Sequence, residues 1–215
     1  RMAQIMRDRL LNIVSGVKSA NSLLCTMLDD RLEPQEREYF PLIDKECDKV
    51  SALVDRLNLF LGDLPPARPV GLALAVVSAE KHLRTAFPAA EIRLETDLAD
   101  PEFVVCVETL KTVLHEAVDN AYGIERKPVS VLVAQTQEAC MVRVVNPGKA
   151  LPANVQNLAF EPFFTGRTKH LGLGLSIARR FIERAGGTAL LCSGPDGDVV
   201  KFMMPALGGK VVAHG

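Results

Sequence analysis

Residues 163–181 read FFTGRTKHLGLGLSIARRF, Phe163 to Phe181, and this stretch decides how the chain is understood. Gly172, Leu173 and Gly174 stand at the start of a helical pattern that runs over about 173 to 185 and stops at Gly186-Gly187, a helix C-terminal signal. Backbone N–H groups at a helix N-terminus lack partners within the helix, and together with the helix dipole they favour an anion. Glycine lets the backbone come close to a phosphate. Arg167 and Lys169, just ahead, supply mobile positive charge for the outermost phosphate. A dinucleotide-binding loop does not fit, because no strand leads into the glycines and the third glycine is absent. A Walker loop does not fit either, since no GK[ST] occurs.

Upstream of this stretch, helical and strand periods alternate from Val70 onward. Residues 72 to 86 read as a helix, 91 to 95 as a strand, and 104 to 122 as a helix with Val107, Leu110, Val113, Leu114, Ala117, Val118 and Ala121 on one broad face. Residues 129–134 and 141–145 are short β-rich runs, 147 to 171 is loop-rich, and strands at 188–193 and 198–204 flank Gly194-Pro195-Asp196-Gly197. The expected fold is an α+β sandwich with helices on one face of a mixed sheet. Two further boxes precede the glycines. In LHEAVDNAYG (114–123), Glu116 and Asn120 lie four apart and project from one face of a helix. In VVNPGKALP (144–152), a strand runs into a glycine turn at Gly148.

The first sixty residues are different. Leu10, Val14, Val17, Leu24 and Leu28 repeat on a 4-3 spacing broken by Asn21, and Ile43, Cys47, Val50, Val54, Leu57 and Leu61 continue the pattern after a turn. This is a helical hairpin. Pro34 suits a first helical position, and Pro41 kinks the second helix or delays its start. Two stripes this long point to a four-helix bundle formed by a homodimer, the alternative being a hairpin folded onto its own chain. Asn21 either fixes the register of the seam or faces water. The run Leu64-Pro65-Pro66-Ala67-Arg68-Pro69 breaks every pattern, so the expected organisation is a hairpin over 1–63, a linker over 64–70, a second domain over 71–206 and a tail over 207–215.

Composition narrows the classes. A net charge of −1 without a long basic run argues against nucleic acid as the main partner. No apolar run reaches the length of a membrane span and no signal-peptide pattern is present. The chain opens on Arg1 and reads as a cytoplasmic piece of something longer. Five scattered cysteines with no CxxC read as core thiols in a reducing compartment rather than a metal site.

With the three boxes in this order after a helical hairpin, the chain resembles the catalytic core of bacterial sensor histidine kinases of the nitrogen-regulator type, over almost its whole length. LHEAVDNA resembles the N box, NPGKALP the DxGxG box, FEPFFTGR the F box and LGLGLSIARRFIERAGG the glycine box with its helix. The resemblance implies an ATP-binding domain of the histidine-kinase ATPase type. It implies that Asn120 holds Mg²⁺ bridging the phosphates, that Asn146 stands where the family has an adenine-reading aspartate, and that Gly148 shapes the turn under the base. It further implies that residues 149 to 171 form a lid and that Gly172, Leu173 and Gly174 cradle phosphate. A response regulator or another signalling kinase is the implied partner.

The departures from the family matter as much. Laid on the family's first helix, RDRLLNIVSGVKSANSLL matches at Asn12, Gly16, Leu23 and Leu24, but the phosphoacceptor histidine falls on Asp8 and its neighbouring acid on Arg9. No histidine precedes His82, so this hairpin cannot form a phosphohistidine. In the nucleotide boxes Asn146 replaces aspartate, keeping an acceptor oxygen without the charge. Ala150 and His170 each replace a glycine. Glu116 keeps a carboxylate where related ATPases activate water, which leaves slow ATP hydrolysis open. The expectation is a dimeric signalling regulator, a pseudokinase that binds Mg·ATP. The alternatives are a kinase acting on a histidine in trans and a scaffold that holds no nucleotide.

Overall fold

The computed structural model describes residues 2–100, 103–147, 151–165, 171–194 and 197–207, and they fall into two compact units that meet between Leu64 and Pro65.

The first unit is a helical hairpin. Helix α1 spans Met2–Leu28, a short helix α2 spans Pro34–Arg37, and α3 spans Tyr39–Leu61. Pro34 opens α2 within a capping box, in which the Glu33 backbone N–H donates to Glu36 Oε2 at 2.9 Å. Pro41 lies in the first turn of α3, where its missing N–H leaves no helical hydrogen bond broken, so it shapes the start of the helix. Val14, Cys47 and Val54 are buried between the two long helices. Asn21 is buried too: its amide donates to the Phe40 carbonyl at 2.9 Å and to Asp44 Oδ1 at 3.0 Å, which ties α1 to α3 and decides against a water-facing role. At the surface Arg7 pairs with Asp55 and Lys18 with Asp48. Of the other seam residues, Leu28 and Leu57 are half-buried, and the rest are less covered still. Leu10, Val17, Leu24, Ile43, Val50 and Leu61 all stay exposed.

The second unit is a sandwich. A strand β1 (Pro69–Gly71) precedes helix α4 (Leu72–Ala86), followed by β2 (Ile92–Asp97), β3 (Val104–Cys106) and helix α5 (Val107–Glu125). Then come β4 (Val129–Gln135), β5 (Ala139–Pro147), a single helical turn α6 (Ala153–Gln156), helix α7 (Gly174–Arg184), β6 (Thr188–Gly194) and β7 (Gly197–Pro205). The main sheet has the order β2-β4-β5-β7-β6, with β2 and β4 parallel and the other neighbours antiparallel. Alternate residues of β4, β5 and β7, such as Val131, Val142 and Phe202, join Leu110, Leu114 and Ile182 of the helices in one buried core. The expected helix from residue 104 begins only at Val107. Val104 and Val105 instead extend as β3 and pair antiparallel with β1, inside the stretch expected to be linker. The two β-branched residues favour that extended form, and the apolar run continues without a break into the helix face, which is why the boundary is not visible as a change of pattern.

Candidate site at the start of helix α7

Helix α5 is the central element of the helical layer and packs against both α4 and α7. Its inward face buries Leu114, Ala117, Val118 and Ala121. Glu116 is 3% exposed, an unusual burial for a carboxylate, and Asn120 follows one turn later with partial exposure. Both form interactions in the structure, so neither is a loose surface group.

The start of α7 is built around Gly172. Its φ is +67°, and a Cβ there would lie 2.6 Å from the Phe164 carbonyl oxygen and 2.8 Å from the Phe163 carbonyl carbon. The Phe163 N–H donates to the Gly172 carbonyl at 3.0 Å, with Phe163 itself at φ +66°. Gly172 is therefore required by a backbone crossing at the neck of a loop, a reason additional to the close phosphate approach expected from sequence. Leu173 is 1% exposed, and the buried Ser176 hydroxyl donates back to the Leu173 carbonyl at 2.8 Å. Among the described residues no side chain caps α7, and its first turn carries no acid. Its leading N–H groups therefore suit an anion, which is the donor set a phosphate needs. The same helix ends as read: Gly186 takes φ +77°, and a Cβ on Gly187 would lie 2.1 Å from the Met203 carbonyl oxygen. Upstream, buried Phe160 and the Arg179–Glu161 contact of 3.8 Å fix residues 160–163 against α7. Hydrogen bonding to Glu183 raises the Arg179 pKa further, and Glu161 adds to it.

Arg167, Lys169 and Gly148 lie outside the described residues. Asn146 is the penultimate residue of β5, and its register partner on β7 is Asp198. The sequence reading did not single out Asp198. It is 2% exposed, accepts a hydrogen bond from the Ser193 hydroxyl on Oδ1 at 2.8 Å, and accepts the Leu151 N–H on Oδ2 at 2.9 Å. Gln156 completes the network by donating to Ser193 Oγ at 2.7 Å and to the Leu151 carbonyl at 2.9 Å. The signal was available in sequence. Asp198 stands in the phase of Val200, Phe202 and Met204, so an acid occupies a core-facing step of the strand. Among the described residues no His/Cys/Asp/Glu cluster suited to a metal occurs, and no helix is long and apolar enough to cross a membrane.

Comparison with known proteins agrees with this fold. A family described as histidine kinase-, DNA gyrase B- and HSP90-like ATPase matches residues 106–208. Sensory histidine kinase/phosphatase NtrB of Proteus hauseri is 26% identical over 216 residues, which is 93% of this chain and 60% of that protein. Sensor protein KdpD of Mycobacterium tuberculosis is 29% identical over 220 residues, 91% of this chain and 25% of its own length. The chain thus spans about 60% of the NtrB relative and a quarter of the KdpD relative. Among solved structures, full-length ShkA in complex with AMPPNP superposes with a TM-score of 0.76 at 18% identity, covering 95% of this chain and 45% of that one. Histidine kinase ThkA in complex with the response regulator protein TrrA gives 0.64 at 20% identity, covering 94% and 61%.

Proposed function

We infer that this chain is the catalytic core of a sensor histidine kinase in which the ATP-binding function is retained while the phosphoacceptor function is not. The observation that carries this reading is the pairing of an ATPase-type domain with a hairpin that has no histidine before His82. Asp8, at the position the family resemblance gives to the acceptor, is an exposed side chain contacting Arg7. An aspartyl phosphate would call for a surrounding cluster of carboxylates and a metal, and the described residues hold no such cluster.

In this reading the first-turn N–H groups of α7, from Gly174 onward, receive the phosphates, with Arg167 and Lys169 at the outermost one. Asn120 offers a carbonyl oxygen to Mg²⁺, a hard cation that takes oxygen ligands. Asn146 and Gly148 stand at the base. Bound ATP would supply a transferable γ-phosphoryl group. The chain's own contribution is to bind it, to hold the buried Glu116 carboxylate as a base for slow hydrolysis, and to couple occupancy to the hairpin. The hairpin dimerises through its uncovered seam, and the dimer works as a signalling regulator that docks a response regulator or another kinase.

Calorimetric titration of Mg·ATP into the purified chain, with Asn120→Ala as control, tests the reading. Micromolar to sub-millimolar binding that the variant loses supports it, and no heat at millimolar ATP leaves a docking scaffold instead. Incubation with γ-labelled ATP then follows the phosphate. Label that stays off this chain supports the regulator, whereas label passed to a histidine of an added partner would make it a kinase acting in trans.

A further inference from the structure

We propose that His82 and His115 form a two-histidine site for a divalent transition-metal ion such as Zn²⁺, which clamps helix α4 to helix α5. It stands whether or not the nucleotide reading above holds. His82 lies on α4 and His115 on α5, and these two helices pack together. His82 Nε2 is 3.2 Å from His115 Nδ1. The ring centroids are 5.2 Å apart with the planes tilted by 47°, so the rings meet at these nitrogens and not face to face.

Spacing is the first argument. Two nitrogens 3.2 Å apart, each about 2.05 Å from a zinc ion, subtend an angle of about 100° there, close to tetrahedral. Fixation is the second. The His115 ring is half-buried and also packs against the Phe87 ring, with centroids 5.0 Å apart, and Phe87 itself rests on the sandwich core. One ligand is therefore held in place before an ion arrives, and exposed His82 supplies the small rotation that turns both lone pairs on one point. Chemistry is the third. A neutral imidazole nitrogen suits Zn²⁺, Cu²⁺ and Ni²⁺, whereas Mg²⁺ prefers oxygen. Without an ion, one ring donates a proton to the other. The ion displaces that proton: the donor ring takes its other tautomer, the proton passing through water to its second nitrogen, and both rings stay neutral. Among the described residues no third His, Cys, Asp or Glu joins the pair, so water completes the coordination and the ion can exchange. Bound there, it braces α5, the helix of Glu116 and Asn120, against its neighbour.

The test is titration of Zn²⁺ into the ¹⁵N-labelled full chain, followed by the imidazole nitrogen resonances. His170 and His214 serve as internal references. His82 Nε2 and His115 Nδ1 are expected to shift together and to saturate at one equivalent, while Mg²⁺ leaves both in place. His82→Ala, at an exposed position, should fold and should weaken Zn²⁺ by at least about ten-fold, since even outer partners of a metal-binding histidine are worth that much. The thermal midpoint of the sandwich should rise with Zn²⁺ in the wild-type chain and stay fixed in His82→Ala. His115→Gln should behave as His82→Ala does; if it does not fold, as judged by circular dichroism, His82→Ala alone decides. Zinc that shifts only one of the two nitrogens overturns the proposal, because the ion then does not bridge the helices. Binding of undiminished affinity in His82→Ala overturns it too, and returns the pair to a hydrogen bond.

Discussion

The hairpin and the sandwich use the same apolar residue types to opposite effect. In the sandwich, Leu72, Leu110, Leu114, Ile177 and Phe202 are all within 1% of full burial, and helices and sheet close over one another. In the hairpin, Leu61 is 63% exposed, Leu24 51% and Val17 46%, although these positions carry the regular spacing that defines the seam. One unit completes its core within a single chain. The other leaves an apolar groove between α1 and α3, lined by Ile13, Val14, Val17, Leu42, Ile43 and Val50, with Glu46 and Cys47 also on its wall. Contiguous exposed apolar surface of this kind marks an interaction face. The difference teaches that periodicity reports which residues want burial, while the number of layers decides whether one chain can provide it.

The contrast can be broken in several ways, beginning with the largest effect. Phe202→Ala should cost the sandwich about 4 kcal/mol, the range for emptying a fully buried aromatic site. Urea unfolding followed separately for the two units should move only the sandwich transition; a shift of both would mean they fold as one. Val17→Asp places a charge on the open seam. If two hairpins pair there, association should weaken by about 3 kcal/mol, the penalty for burying an unpaired polar group. Sedimentation velocity reads this directly, and an unchanged profile would free the seam from any role in pairing.

Gly172→Ala comes next. Positive φ and the backbone crossing against Phe164 should cost about 2 kcal/mol. Faster amide exchange at Phe163, whose N–H depends on the Gly172 carbonyl, would place the damage at the loop neck. The smallest effect concerns Cys140, whose thiol burial pushes up from 9.0 to about 12. A thiol raised in the folded state keeps its proton while the unfolded chain loses it, so stability is complete below about pH 9 and falls as pH rises toward 12. The loss should be about 1.4 kcal/mol by pH 10. Cys140→Ala should flatten that limb of the pH profile, and an unchanged slope would assign it elsewhere.

Much of the architecture was legible because two periods alternate cleanly. The helix ending at Gly186-Gly187 and the strands on either side of residue 196 stand where the pattern puts them, since a 3.6 period gives way to a 2 period across a glycine turn. The pair β1 and β3 was hidden, because Val104 and Val105 satisfy a helical face as well as a strand and only Pro69–Gly71 beside them settles the matter. Asn21 was ambiguous for a related reason: a polar residue on a seam becomes a tie only when a carbonyl such as that of Phe40 lies opposite, and sequence does not give distances. Of the site, the glycines and the Glu116–Asn120 stripe were readable as motifs. Asp198 was missed because an acid beside a Gly-Pro-Asp-Gly turn looks like part of the turn, although its phase with Val200, Phe202 and Met204 marked a core-facing step.

The neck at Phe163 and Gly172 has a consequence for how this molecule could be rebuilt. A loop whose two ends are clasped by one backbone hydrogen bond hands its flanking elements a fixed boundary, whatever lies between. Its length then becomes an adjustable variable, since the cost of closing a longer chain between fixed ends grows only slowly with the number of residues. The segment between the clasped residues is therefore a natural cassette. Residues added there would leave the packing of β6, β7 and the helical layer untouched, provided Arg167 and Lys169 are kept for the phosphate role proposed above.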